Sequence, residues 1–185
     1  MMSTNRFLTI WDKCDKLISG TAGWELVIME RGLSAEQLGD LSHVLRWHRK
    51  DEALIALMTN PLTGEPVGIR RSFIWYDDMA GACVVKRDIV GTWGVVRLNE
   101  DVSTKMRVCE HTEEGLELLL VPGAPVWVVA DGFDALPVLP GVEELAIYAR
   151  PDRRDAAAEC VKRWREAGRD AEIRLVRATL HAWSD

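Results

Sequence analysis

Two short stretches of this chain place ionisable side chains directly after apolar runs. Glu110-His111-Thr112-Glu113 follows Met106–Cys109, and Arg150-Pro151-Asp152 follows Leu145–Tyr148 and Ala149. Asp131 follows a third run, Val126–Ala130, with Asp134 three residues further on. Carboxylates beside an imidazole suit proton transfer, so His111 is a candidate general base. The plainer alternative is a hydrogen-bonded loop histidine. Asp131-Gly132 is likewise ordinary turn chemistry. A separate set is basic: Arg70, Arg71, Lys86, Arg87 and Arg97. Side chains of that kind contact phosphate without regard to sequence and in a salt-sensitive way. Trp75, Tyr76 and Trp93 lie among them and could stack bases. The alternative is a solvated sheet face over packed aromatic residues.

The elements that must position these residues follow from periodicity. Phe7, Ile10, Trp11, Cys14 and Leu17 are spaced for one face of a helix over Arg6–Leu17. Trp24–Arg31 reads as a second short helix stopped by Gly32. Ser34-Ala35-Glu36-Gln37 fits a capping box opening a third. Ala53–Met58 and Val67–Trp75, separated by Asn60-Pro61-Leu62-Thr63-Gly64-Glu65, predict a hairpin. Cys83–Val85 and Thr92–Leu98 add shorter strands to a mainly antiparallel sheet.

From Lys105 onward the rhythm becomes strand, helix, strand, strand, helix, strand. The strands are Met106–Cys109, Val126–Ala130, Leu145–Tyr148 and Ile173–Val176; the helices are Glu113–Leu120 and Asp155–Ala167. Apolar strands alternating with helices predict an α/β domain with a parallel sheet and flanking helices. Ligands of such sheets sit beyond the carboxyl ends of the strands. Those ends are Glu110, Asp131 and the loop Ala149–Asp152. The expected division is an α+β module over residues 1–103, a helical cap plus antiparallel strands, and an α/β domain over residues 104–185.

Composition bounds the rest. The 185 residues are 48% apolar, enough to bury a core, and the net charge of −6 argues against a generally basic surface for duplex DNA. It leaves room for a local basic groove. Eight scattered Trp read as core and interface filler. Four Cys show no C-x-x-C pair or zinc spacing, so they read as idle thiols in a reducing compartment. No run is long enough to span a membrane, and Met1–Ile10 lacks the features of a signal peptide, so a soluble cytoplasmic protein is expected. The absence of a G-x-x-x-x-G-K-[ST] loop excludes a P-loop ATPase.

The order of these pieces resembles the Toprim-domain primase-like proteins of phages, plasmids and other mobile elements. Their N-terminal module is similar to "ERGLSAEQLGDLSHVLRWH" followed by an apolar strand and "TGEPVGIRRSFI". Their Toprim part has a strand ending in Glu, a strand ending in an Asp-x-Asp pair, and a helix carrying W-x-x-A-G-R. Here these read Val108-Cys109-Glu110-His111-Thr112-Glu113, Tyr148-Ala149-Arg150-Pro151-Asp152 and Trp164-Arg165-Glu166-Ala167-Gly168-Arg169. The stretch "PVWVVADGFDALPVLPGVEELAIYA" has the family's spacing between the two acidic sites. The likeness runs from about Trp11 to the end.

The resemblance implies that Glu110 is the acid of acid–base or Mg²⁺ chemistry, that Asp152 is the second Asp of the pair, and that Glu113 is a second acid after the first. It implies a nucleic-acid track through the basic middle sheet. Two departures stand out: Arg150 occupies the first Asp position of the pair, and His111 replaces the Gly after the acid. Mg²⁺ takes one or two carboxylates with phosphate and water. An Arg at a ligand position removes an anion and adds a fixed cation, a repulsion of about 4 kcal/mol at about 4 Å and an effective dielectric of about 20. Arg150 is expected either to pair with Glu110 or Asp152 or to turn to solvent, and Asp131 to supply a replacement carboxylate only if it leaves its turn. The basic residues of the helix after Asp152, including Arg153, Arg163 and Arg165, read as solvated surface.

The expected function is therefore a catalytically impaired Toprim-like protein, binding single-stranded DNA or RNA or a replication partner, with Mg²⁺ bound weakly or not at all. One competing reading is an active Mg²⁺-dependent nucleotidyl transferase or nuclease using Glu110, Asp152 and Asp131. The other is a protein-binding inhibitor or adaptor that contacts a host protein and no nucleic acid.

Overall fold

The computed structural model describes residues 4–16, 24, 32–77, 81–99 and 103–176. It is a mixed α/β protein that divides into two compact units. The first comprises residues 1–58, 66–93 and 179–185, and the second residues 59–65 and 94–178.

In the first unit, α1 (Thr4–Asp12) buries Phe7 and Trp11 against Ala53, Ile55 and Ile69. The helix is shorter than its apolar spacing predicts. Lys13 and Cys14 close turns onto Ile10 and Trp11, and β1 (Asp15–Lys16) then pairs with β2 (Leu45–His48). Leu17 and most of Trp24–Arg31 lie outside the described residues; Trp24 is buried. The capping box forms at α2 (Ala35–Leu38): Ser34 N–H donates to Gln37 Oε1 at 2.9 Å, and Gln37 N–H to Ser34 Oγ at 3.3 Å.

The sheet of this unit is antiparallel. β2 pairs with β3 (Ala53–Thr59), β3 with β4 (Pro66–Asp77), and β4 with β5 (Gly81–Gly91), with a bulge at Phe73/Ile74. The predicted strand Cys83–Val85 is thus the start of a much longer one. β1 and β2 are not legible as strands, because two or four residues carry too little period-2 alternation to register.

In the second unit, β6 (Val95–Arg97), β7 (Lys105–Cys109), β8 (Val126–Val129), β9 (Glu144–Ala149) and β10 (Asp170–Leu175) run in the order β6-β8-β7-β9-β10. β8-β7-β9-β10 are mutually parallel and β6 is antiparallel to β8. The predicted strand Thr92–Leu98 shortens to three residues. Between β3 and β4, the loop after Thr59 closes through Asn60 Oδ1, which accepts from Leu62 and Thr63 N–H. Arg97 Nη2 donates to Asn60 and Pro61 carbonyls at 3.2 Å.

Two helices cover this sheet. α3 (Thr112–Leu119) packs on β7 and β8, and α4 (Arg154–Glu166) on β9 and β10. Gly115 makes the first packing possible: a Cβ there would lie 2.6 Å from Leu98 Cδ1 and 3.1 Å from Val128 Cγ2. α4 buries Ala157, Cys160, Val161 and Trp164, the face that its spacing predicts. Cys14, Cys109 and Cys160 are buried free thiols, and burial pushes the Cys14 and Cys160 thiols up to about 11, which keeps them protonated and inert. No helix among the described residues is long and apolar enough to cross a membrane.

Candidate functional site

The carboxyl ends of β7, β8 and β9 bring the acidic residues to one edge of the second unit, as parallel pairing dictates: Cys109 sits beside Val128 and Val108 beside Ile147. Glu110 directly follows buried Cys109 and is itself only 8% exposed. A buried carboxylate requires a cation or several N–H donors, and Arg153 supplies both. Its Nε lies 2.9 Å from Glu110 Oε2 and 3.1 Å from Oε1, and its Nη2 lies 2.8 Å from Oε1. This two-ended contact raises the guanidinium further above its ordinary value, through the hydrogen bonds to Glu110 and its charge.

Arg150, expected to pair with Glu110 or Asp152, pairs with Asp152 at 3.3 Å. The local backbone explains the choice. Pro151 holds Arg150 extended (φ −69°, ψ 157°). A 3₁₀ turn over Pro151–Arg153 follows, closed by Arg153 N–H to Arg150 O at 3.0 Å. That turn carries the Arg153 side chain back to Glu110. Arg153 is therefore not the solvated surface residue that its place in a charged helix suggests. Arg163 and Arg165 also depart from that expectation: they donate to Phe133, Leu136 and Ala171 carbonyls.

Gly132 makes room for the contact. Its φ of +90° is one that L side chains avoid, and a Cβ there would lie 3.1 Å from Arg153 Nη2 and 3.5 Å from Glu110 Oε1. Asp131 is exposed in the turn that leads to this glycine. Asp134 is exposed on the next 3₁₀ turn, and its charge reaches Arg153.

The start of α3 holds the other acids. His111 is the N-cap in extended conformation (φ −118°, ψ 139°), with no side-chain cap bond. Glu113 is buried. Glu114, which carries no family signal, occupies the third helical position and accepts a hydrogen bond from the His111 backbone N–H, half of a capping box. Burial and the neighbouring Glu113 charge push the Glu114 carboxyl up to about 7, although Arg150 and the His111 N–H act against them. A carboxyl raised to about 7 is half-protonated near neutral pH, as a group that exchanges protons requires. The sequence signal for it is the acid three residues after an N-cap position.

Mg²⁺ fits this arrangement poorly. Both Glu110 oxygens face Arg153, Asp152 is exposed and held by Arg150, and Asp131 is out in its turn. Among the described residues no group of three or more His, Cys, Asp or Glu converges as a metal site would require.

The five basic residues are divided between the two units. In the first unit Arg71 is clamped by Asp88 at 2.7 and 2.6 Å, lies 3.7 Å from Asp51, and stacks over Phe73. Arg70 is buried on the opposite face of β4. Arg87 is half-buried opposite Ser72, and Lys86 is exposed with its ammonium 5.6 Å from the Phe73 ring. Arg97 belongs to the second unit, where it lies 4.3 Å over Trp127. Trp93 is half-buried; the side chains of Trp75 and Tyr76 lie outside the described residues. No protein-family model matches the chain, and no curated protein matches it.

Proposed function

We propose that this chain is a catalytically impaired, Toprim-like protein of a mobile element, which binds single-stranded nucleic acid or a replication partner without phosphoryl transfer. The observation that carries the reading is the clasp of Arg153 on Glu110 at the carboxyl end of β7. In the resemblance, Glu110 is the acid on which catalysis depends. Here a guanidinium stands where a divalent ion would approach. Releasing Glu110 to a metal requires breaking a charge-assisted, two-ended pair as well as desolvating the ion. Arg150 in place of an Asp weakens the same site from its other side.

Lys86 is an exposed cation from which a phosphate track would be built, with Phe73 beneath it. Filter binding of single-stranded DNA and RNA to the full chain at two salt concentrations tests the binding half of the proposal. Salt-sensitive retention is expected. No retention at low salt would favour a protein-binding inhibitor or adaptor. Mg²⁺-dependent primer synthesis or strand cleavage that Glu110→Ala abolishes would establish an active enzyme and overturn the impaired reading.

A further inference from the structure

β10 is the outermost strand of the second unit and, among the described residues, pairs only with β9. Parity decides which of its backbone groups face away. Asp170 N–H donates to Glu143 O at 2.8 Å, and Val176 N–H to Ala149 O at 3.0 Å. The even-numbered residues therefore turn their amides to β9, and Ala171, Ile173 and Leu175 turn theirs outward. Arg165 marks the same direction independently, because its guanidinium reaches round to the Ala171 carbonyl at 2.9 and 2.6 Å. Its two N–H donors fill both acceptor positions of that oxygen, so along this edge the Ala171 carbonyl is capped and the Ala171 N–H and the amide groups of Ile173 and Leu175 remain outward. An edge of this kind is a template for another strand.

The side chains specify which strand. Glu172 and Arg174 share one face of β10, opposite Ala146 and Tyr148 of β9, and Ala171, Ile173 and Leu175 share the other. Leu175 is 53% exposed. A second copy laid antiparallel, with Ile173 on the two-fold axis, would exchange both amide hydrogen bonds at Ile173 and add one from the Ala171 N–H to the partner's Leu175 carbonyl. Glu172 and Arg174 pair with each other within the strand at 2.5 Å; in the dimer Glu172 would also lie opposite the partner's Arg174, and Arg174 opposite the partner's Glu172.

Neighbouring registers fail on charge. An axis at Glu172 sets that residue against its own copy, an axis at Arg174 does the same for the arginine, and an axis at Ala171 opposes Glu172 to the partner's Asp170. Like charges directly opposite destabilise a strand pair. Of these registers, the one about Ile173 sets opposite charges across the pair, and it also covers Leu175.

We propose that β10 is a homodimerisation edge, pairing antiparallel with a second copy of this chain about Ile173. The inference is independent of the nucleic-acid reading. Sedimentation velocity of the full chain across a concentration range is expected to show a reversible monomer–dimer equilibrium. Glu172→Arg should weaken it at least about tenfold, by setting two pairs of arginines across the axis. Glu172→Arg combined with Arg174→Glu should restore it. Ile173→Pro should abolish it, while circular dichroism shows the fold retained, since the lost N–H faces outward. A strictly monomeric parent, or a dimer indifferent to the charge reversal and not rescued by the double variant, would overturn the proposal.

Discussion

Arg153→Leu isolates the contact on which the functional reading turns. The substitution keeps an apolar stem of similar reach and removes all three N–H···O contacts to Glu110. Glu110 is 8% exposed, so water cannot fully replace them. Breaking a fully buried ion pair from one side costs about 3–5 kcal/mol, and an exposed pair contributes about 1 kcal/mol or less. Here the Arg153 side chain is 39% exposed and that of Glu110 is 11% exposed, which places the expected loss between those limits, at about 2–3 kcal/mol. Urea unfolding followed by tryptophan fluorescence measures it, because Trp127 and Trp164 are buried in the same unit. In a Glu110→Gln background the same substitution should cost less by about 1–2 kcal/mol, the coupling that a double-mutant cycle extracts. A cost below about 0.5 kcal/mol, or one unchanged by Glu110→Gln, would refute the assignment of Arg153 as the partner of Glu110.

Other consequences can be checked alongside. The Glu114 carboxyl is raised from its ordinary 4.5 to about 7. Between those values the folded chain binds the extra proton, so this group makes stability fall as pH rises through that window and stay lowered above it. Glu114→Gln keeps an acceptor for the His111 N–H and cannot ionise; its unfolding midpoint should match the parent near the lower value and exceed it above the upper one, by up to about 3 kcal/mol. Gly132→Ala should lose about 1–3 kcal/mol in thermal unfolding, from the positive φ and from displacement of the Arg153 guanidinium. Lys86→Ala should flatten the plot of log affinity against log salt for single-stranded DNA by about 0.7. Arg71→Ala should leave that slope nearly unchanged, since Asp88 and Asp51 already hold its charge.

Much of the second unit is legible from the chain alone. Apolar runs such as VWVV and LAIY are strands, the first buried throughout and the second at Leu145 and Ile147, and the face Ala157, Cys160, Val161, Trp164 is the buried face of its helix. Strands of this kind carry their burial in composition, so no tertiary knowledge is needed to see them. The placement of Glu110 at a strand end is equally readable. Its partner is not. Arg153 lies in a charged stretch among several like residues, and the 3₁₀ turn after Pro151 that brings its guanidinium back to Glu110 has no sequence signal of its own. Glu114 escapes a sequence reading because its raised carboxyl depends on burial and on Glu113, both set by how α3 packs. In the first unit, α1 stops at Asp12 although Cys14 continues the apolar spacing, because Asp15 and Lys16 gain backbone partners in Trp47 and Arg46. Strand pairing overrides helical periodicity there, a competition that no local window contains.

The most direct test of the central claim is Mn²⁺ binding to the full chain, followed by electron paramagnetic resonance, for the parent and for Arg153→Leu. With Glu110 clasped by a guanidinium, the parent should show no saturable site in the micromolar range, and the variant should bind Mn²⁺ more tightly than the parent. A single tight Mn²⁺ site in the parent that disappears in Glu110→Ala would contradict the account, because Glu110 would then already be serving a metal.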